Sequence, residues 1–284
     1  MTEVEEYFDL FFYRPLAFLL VKIIYRTNIT PNQITYTSIL AGIVAGCFYA
    51  QGTPYYFSVG ALFFALYNII DCSDGMLARL KKNGTHAGRI VDGFADYIAT
   101  VSVFIGIGIG FAGRQSNPEY WWLLLVAAGL SNIIQSSLVD YYRNRFLDYV
   151  QRRKSTFEEG LDSFREEYNA IKDRNDKWLD RIILNLYFRY SAFKNNLAVK
   201  KKREKLFKAT PEDYYKRNKT AVRFWVMIGP TAQITTVIIC SLINRFDIFC
   251  WVMIIGFNGV AAIMRIVQRN IDMSFKEEVL RIKY

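Results

Sequence analysis

Apolar runs about as long as a bilayer is thick constrain this chain more than any other feature. Of its 284 residues, 52% are hydrophobic and 16% aromatic. A helix needs about 20 mostly apolar residues to cross a hydrocarbon core of ~30 Å. Six segments fit this length: Pro31–Ala50, Tyr55–Leu80, Gly88–Gly113, Tyr120–Tyr142, Thr220–Ile243 and Ile248–Val267. The sequence therefore predicts an all-α integral membrane bundle of about six transmembrane helices.

The first 29 residues form a separate region ahead of the spans. The run from Tyr7 to Tyr25 is apolar, but Asp9, Arg14, Lys22 and a proline interrupt it. Charges inside a span are costly, whereas an amphipathic helix lying in the interface keeps its charged face in water. We therefore expect residues 1–29 to form an N-terminal interfacial helix.

A long basic insertion separates the first four spans from the last two. Residues 30–150 hold spans one to four, 151–218 form the insertion, and 219–284 hold spans five and six with a C-terminal tail. Apolar residues at helical spacing predict amphipathic helices at 157–171 and 178–190.

The distribution of Lys and Arg predicts the orientation. Residues 151–219 contain 19 Lys and Arg against 11 Asp and Glu, and the link at 80–87 adds Lys81 and Lys82. Cytoplasmic loops carry such an excess. With six spans, both termini and these basic segments fall on one side, which we expect to be cytoplasmic. Beside a membrane, the run Lys200–Arg203 indicates contact with lipid headgroups, and we expect no nucleic-acid partner.

Four carboxylates lie inside helices otherwise made of apolar residues. Asp71 and Asp74 are three residues apart and Asp92 and Asp96 four apart, so each pair projects from one face of its helix. A lone carboxylate in a span costs at least ~2.5 kcal/mol, and a bound cation is the simplest compensation. All-oxygen ligands favour Mg²⁺ or Mn²⁺, and two ions would fit a phosphoryl-transfer site.

Small residues accompany these carboxylates. Gly75, Ala78 and Gly88 remove side-chain bulk beside them and would let phosphate groups approach the helix backbone. Arg79 follows one turn after Gly75, and its guanidinium group suits either a phosphate or a carboxylate.

The whole pattern, D-x-x-D-G-x-x-A-R, eight residues, then G-x-x-x-D-x-x-x-D, runs from Asp71 to Asp96. It resembles the signature of the CDP-alcohol phosphotransferase family, and every specified position is present. The sequence P-N-x-x-T ahead of the first span, with Asn32 and Thr35, also resembles a family element. The insertion at 151–218 is longer than is usual in the family, and its role stays open.

The resemblance implies a role for each matching residue. Asp71, Asp74, Asp92 and Asp96 would bind metal, with Asp96 also acting as the catalytic base. The CDP moiety would contact a second set, which comprises Gly75, Ala78, Arg79, Gly88, Asn32 and Thr35. The implied activity is transfer of a substituted phosphate group from a CDP-alcohol to an alcohol acceptor in phospholipid synthesis, with release of CMP. A homodimer is also implied by the resemblance.

The acceptor is the least constrained part of this hypothesis. Polar residues in or beside the later spans are candidates for its pocket, and about half should instead be interhelix hydrogen bonds or interface anchors. The candidates are Gln135, Asp140, Arg143, Arg223, Asn258 and Arg265. The arginines favour CDP-diacylglycerol as donor and a polyol phosphate, such as inositol phosphate, as acceptor. Transfer of a CDP-linked head group to a lipid or polar acceptor stays open.

Two other interpretations of the carboxylates compete with catalysis. They can be a charged helix end paired with neighbouring Arg and Lys residues, or part of a proton or cation pathway in a transporter. Intramembrane carboxylates are functional by default, which disfavours the first interpretation. The sequence shows no inverted repeat with two broken helices, which disfavours the second.

Overall fold

The computed structural model of the chain describes residues 2–82, 86–151, 169 and 210–281. The regular elements in these residues are all helical, which confirms the predicted fold class. A 3-10 turn (Thr2–Val4) and a π-helical turn (Asp9–Tyr13) precede nine α-helices. These are α1 (Arg14–Ile24), α2 (Pro31–Ala50), α3 (Pro54–Lys81), α4 (His86–Gly110), α5 (Pro118–Val150), α6 (Pro211–Val226), α7 (Pro230–Leu242), α8 (Phe246–Trp251) and α9 (Asn258–Arg281).

Six stretches of the described chain are long and apolar enough to cross a membrane, as predicted. They are Pro31–Ala50, Pro54–Lys81, Val91–Arg114, Pro118–Val150, Pro211–Leu242 and Phe246–Phe275. Helix α5 continues beyond the predicted end at Tyr142, because charged residues there find partners: Arg145 donates two hydrogen bonds of 2.9 Å to Asp272 of α9. The amphipathic helices predicted in the insertion lie outside the described residues, apart from a helical Asn169.

Threonine and proline define several helix starts. Thr30 accepts a hydrogen bond from the Gln33 backbone N–H, Gln33 returns one to the Thr30 backbone, and Pro31 takes the first helical position. Such caps stabilise a helix by about 1 kcal/mol, and proline at this position costs no hydrogen bond. Thr210 caps α6 in the same way, so this helix begins at Pro211 rather than at the predicted Thr220.

Helix α2 is the centre of the bundle, because it packs along both α3 and α4, which make few direct contacts with each other. Its small residues allow this. A Cβ atom added at Gly42 would overlap Ala99 of α4, and one at Gly46 would come within 2.5 Å of the Ser102 carbonyl oxygen. Close approach of backbones through small residues is a usual packing mode of membrane helices.

Contacts at the two ends of the bundle confirm the alternating direction of the spans. At one end Lys81, at the close of α3, donates to the carbonyl oxygens of Thr27 and Ile29 ahead of α2. At the opposite end Arg114 donates to the carbonyl oxygens of Gln51 and Gly52. The carboxylate motif lies toward the first of these ends.

The fifth span is broken into α6 and α7 instead of forming one helix. Pro230 lacks an N–H group and its ring clashes with the preceding turn, which interrupts the helix. Glu6, only 7% exposed, fills the break: its carboxylate accepts a 3.0 Å hydrogen bond from the Ala232 backbone N–H. A Cβ atom at Gly229 would overlap this carboxylate. The N-terminal segment, through Glu6, therefore packs at the break between α6 and α7.

The region predicted as an interfacial helix contains the π-helical turn and α1. The described residues of this region contain no helix long and apolar enough to span a membrane. Helix α1 packs on α3, while Phe11, Phe18 and Ile23 are exposed. This outward apolar surface suits an interface, and placement there stays a prediction.

The buried Glu6 leads to a pH-dependent prediction. Burial raises the pKa of Glu6 from 4.5 to about 8. Between these two values the folded protein holds one more proton than the unfolded chain, so stability is greatest below the lower value and falls as pH rises toward the higher one. We expect Glu6→Gln, which cannot ionise, to raise the melting temperature at pH 8.5 by about 2–4 °C and to leave it unchanged at pH 5.

Thermal unfolding in detergent, followed by tryptophan fluorescence, measures this difference. Glu119→Gln is the matched control, since Glu119 is exposed in the first turn of α5. It should give no gain that depends on pH. An equal shift for Glu6→Gln at both pH values would contradict an ionisation penalty at this position.

Candidate metal and active site

Three of the four motif carboxylates converge between α3 and α4. One oxygen atom from each of Asp71, Asp74 and Asp92 can be chosen so that all three lie within 4.8 Å of one another. Asp74 is only 6% exposed, and the other two are half-buried. Like charges this close inside an apolar bundle need compensation, and a bound divalent cation would supply it.

The structure fits a metal ion at this triad. Oδ1 of Asp71 is buried and has no hydrogen-bond partner, so an acceptor atom is left for a ligand. A Cβ atom added at Gly75 would meet nothing within 4 Å, which means that open space adjoins the triad. A ligand set made of carboxylate oxygens is typical of hard divalent cations. The triad can therefore hold such an ion.

Thr35 of α2 contacts one member of the triad. Its hydroxyl group is buried and donates a 2.6 Å hydrogen bond to Oδ2 of Asp74. The structure thus places Thr35 behind a predicted metal ligand, while Asn32 is half-buried near the helix start. The bond fixes the rotamer of Asp74 and leaves its other oxygen for the triad.

The remaining predicted CDP contacts lie on the two helices that carry the triad. Arg79 is exposed, and its charge attracts that of Asp74. Ala78 and Gly88 are half-buried on α3 and α4. Contact of these residues with CDP stays a prediction.

Asp96 is not one of the three converging ligands, although its charge acts on both Asp71 and Asp74. It lies one turn beyond Asp92 on α4, and its Oδ1 accepts a 2.5 Å hydrogen bond from the hydroxyl group of Tyr67 on α3. Tyr67 was not among the predicted site residues. Its position four residues before Asp71 puts it on the same helix face, a signal that was present in the spacing.

The N-terminal segment approaches the site from the other side of α3, which the sequence analysis also missed. Cys72, next to Asp71, donates from Sγ to Oδ1 of Asp9 at 3.3 Å. Arg14 pairs with Asp9 at 3.3 Å and with Glu5. The Arg14 charge therefore compensates acids that come close to the motif.

Two predicted acceptor residues belong instead to a buried network. Gln135 is fully buried and donates to the Met253 carbonyl at 2.8 Å and to Oδ1 of Asn258 at 2.9 Å. Gln233 of α7 donates to the Gln135 oxygen at 3.2 Å. Asn258 also donates to Ser131. These bonds tie three spans together, so the structure does not bring Gln135 and Asn258 to the triad.

The charged acceptor candidates separate into two groups. Asp140 is exposed on α5 within electrostatic range of Asp96, and the Arg143 charge acts on both Asp140 and Glu6. Arg223 lies 3.9 Å from Glu3. Arg265 lines a cleft with Tyr142 and Arg269. Among these candidates Asp140 has an electrostatic link to Asp96, and Arg143 is linked to Asp96 through Asp140.

Comparison with known proteins agrees with the motif. The family model described as CDP-alcohol phosphatidyltransferase matches residues 28–145, which include the triad, Thr35 and Asp96. The match ends before the insertion and the last two spans.

Curated relatives align over a similar part of the chain. A phosphatidylinositol phosphate synthase from Corynebacterium glutamicum is 28% identical over 49% of this chain and 55% of its own length. One from Mycobacteroides abscessus is 24% identical over 49% and 54%. A ceramide phosphoethanolamine synthase from Drosophila melanogaster is 30% identical over 38% of this chain and 29% of its own length.

The chain thus spans about half the length of the first two relatives, which share the family indicated by the motif. Residues 28–145 of this chain are therefore similar to the CDP-alcohol phosphatidyltransferase family, in which the motif also places them.

Proposed function

We propose that the protein is an integral membrane transferase of phospholipid synthesis that moves a substituted phosphate group from a CDP-alcohol to an alcohol and releases CMP. The observation that carries this proposal is the converging triad of Asp71, Asp74 and Asp92, placed inside the region that matches the family. A charged helix end does not explain it, because buried Oδ1 of Asp71 has no partner.

Each carboxylate has its own task in this proposal. Asp71, Asp74 and Asp92 hold Mg²⁺ or Mn²⁺, and the full set of four offers enough oxygen atoms for two ions. When bound, the metal offsets the charge of the pyrophosphate and of departing CMP. Thr35 keeps Asp74 in its ligating rotamer, and Asp96 removes the proton of the acceptor hydroxyl group. Gly75 gives the nucleotide room against α3.

For the substrates, we propose CDP-diacylglycerol as donor and a polyol phosphate as acceptor. Two relatives are named phosphatidylinositol phosphate synthases. Arg143, linked to Asp96 through Asp140, supplies positive charge for a phosphorylated acceptor. Head-group transfer to a lipid is the second candidate, since a third relative is named ceramide phosphoethanolamine synthase.

An assay that crosses both donor classes with a small acceptor panel tests the proposal. Purified protein in detergent receives CDP-diacylglycerol or CDP-ethanolamine with glycerol phosphate, inositol phosphate, serine, diacylglycerol or ceramide, and Mg²⁺ or Mn²⁺. We expect CMP and a phosphatidyl product from CDP-diacylglycerol with a polyol phosphate, and no CMP after EDTA. A transporter would release no CMP from any mixture.

We further propose that the triad faces the cytoplasm, because the basic link at 80–87 follows α3 at this end and an alternation of six spans assigns the basic insertion to the same side. Single cysteines at Lys82 and at Ser116 test this in a chain whose four native cysteines are replaced by serine. A membrane-impermeant maleimide added to intact cells should label Ser116→Cys and spare Lys82→Cys. The reverse pattern would contradict the orientation. A homodimer stays a prediction.

A further inference from the structure

Tyr67 is buried among the motif carboxylates without carrying a charge. It is 1% exposed, and its ring stacks on Phe64 at 5.6 Å between centroids. Its hydroxyl group donates to Asp96 at 2.5 Å and lies within electrostatic range of Asp71 and Asp92. The phenol of Tyr67 is thus the hydrogen-bond donor to one oxygen of Asp96.

The hydrogen bond makes the two oxygen atoms of Asp96 unequal. Oδ1 is engaged by Tyr67, while Oδ2 accepts no hydrogen bond from the described residues and belongs to an exposed side chain. An Arg or Lys at position 67 would also hold Asp96, but its charge would compete with a cation at the neighbouring triad. A tyrosine fixes the carboxylate without neutralising it.

We propose that Tyr67 is the positioning residue for Asp96, an inference that rests on the proposed function. Tyr67 holds Oδ1, so that Oδ2 receives the proton of the acceptor hydroxyl group. As that O–H bond breaks, the alcohol oxygen forms a bond to the β-phosphorus of the donor. The bond from this phosphorus to the bridging oxygen breaks, and its electron pair leaves with CMP.

Tyr67→Phe removes the hydroxyl group and keeps the ring, and a matched control exists in the same bundle. Tyr49 is also fully buried, and its hydroxyl group bonds Ser241 at 2.8 Å near the opposite end of α2. In CMP release we expect Tyr67→Phe to lower kcat by tenfold or more, with KM for the CDP-alcohol and the half-saturating Mn²⁺ concentration within about twofold of wild type. Tyr49→Phe should leave all three unchanged.

A double-mutant cycle decides whether Tyr67 acts through Asp96. In an Asp96→Glu background, which moves the carboxylate, Tyr67→Phe should change kcat by less than about twofold. The same loss in both backgrounds would show that Tyr67 acts independently of Asp96 and would overturn the inference. The inference is also overturned if a higher half-saturating Mn²⁺ concentration accounts for the lower activity of Tyr67→Phe, because Tyr67 would then support the metal ligands.

The remaining outcomes are also distinguishable. A Tyr67→Phe protein with wild-type kcat refutes this inference alone. Another outcome is a Tyr67→Phe protein that unfolds at a lower temperature than Tyr49→Phe and shows both a lower kcat and a higher KM. Such a protein has lost structure, which also overturns the positioning role. A wild-type protein that releases no CMP from either donor class refutes the proposed function, and this inference with it.

Discussion

Asp96→Asn is expected to lower the rate of CMP release by about 1,000-fold or more, because an amide cannot accept the proton of the attacking alcohol. We expect asparagine to replace Asp96 without disturbing its surroundings. Asparagine has the same shape, and its oxygen can still accept the hydrogen bond from Tyr67. Single-turnover CMP release measures the chemical step, and equilibrium binding of the CDP-alcohol should persist in part.

Asp247→Asn is the matched control for this substitution. Asp247 begins the sixth span at the opposite end of the bundle, where it pairs with Arg245 at 2.7 Å. It should retain full activity. Residual activity above about a tenth in Asp96→Asn would assign the base to another group.

Asp74→Asn should fail in a different way, with metal and donor binding lost together. Asp74 supplies one of the three converging oxygen atoms, and Oδ2 of Asp74 accepts a hydrogen bond from the Thr35 hydroxyl group. We expect the half-saturating Mn²⁺ concentration and the KM for the CDP-alcohol each to rise about tenfold or more. Mn²⁺ binding, followed by electron paramagnetic resonance, separates this loss from a slower chemical step.

The contrast between the two variants is the sharper test. Asp96→Asn should bind the Mn²⁺ ion at the converging triad nearly as wild type does, because Asp71, Asp74 and Asp92 converge without Asp96. Equal residual activity and equal metal affinity in the two proteins would remove the distinction between ligand and base.

Features that depend on the composition of one segment were predictable. Span number follows from apolar length, and the pairing of Asp71 with Asp74 follows from their spacing of three residues. Partner choice across the bundle was not predictable. Gln135 has the same polar character whether it meets a substrate or Gln233, and only the packing of α5 against α7 decides this. Pro230 was visible in the sequence, but its effect on the fifth span depends on Glu6, more than 200 residues away.

Few residues separate the end of α3 at Lys81 from the start of α4 at His86, yet the two helices make few direct contacts with each other. Helix α2 packs along both of them instead. A short connection limits the distance between two helix ends and does not fix what lies between the helices.

The seam between α2 and α4 gives the site a spacer that carries no metal ligand. Helix α2 packs both on the helix that carries Asp71 and Asp74 and on the helix that carries Asp92, and the close approach at Gly42 and Gly46 sets the distance between α2 and α4. A single methyl group at either glycine would therefore push away the helix on which Asp92 and Asp96 are carried.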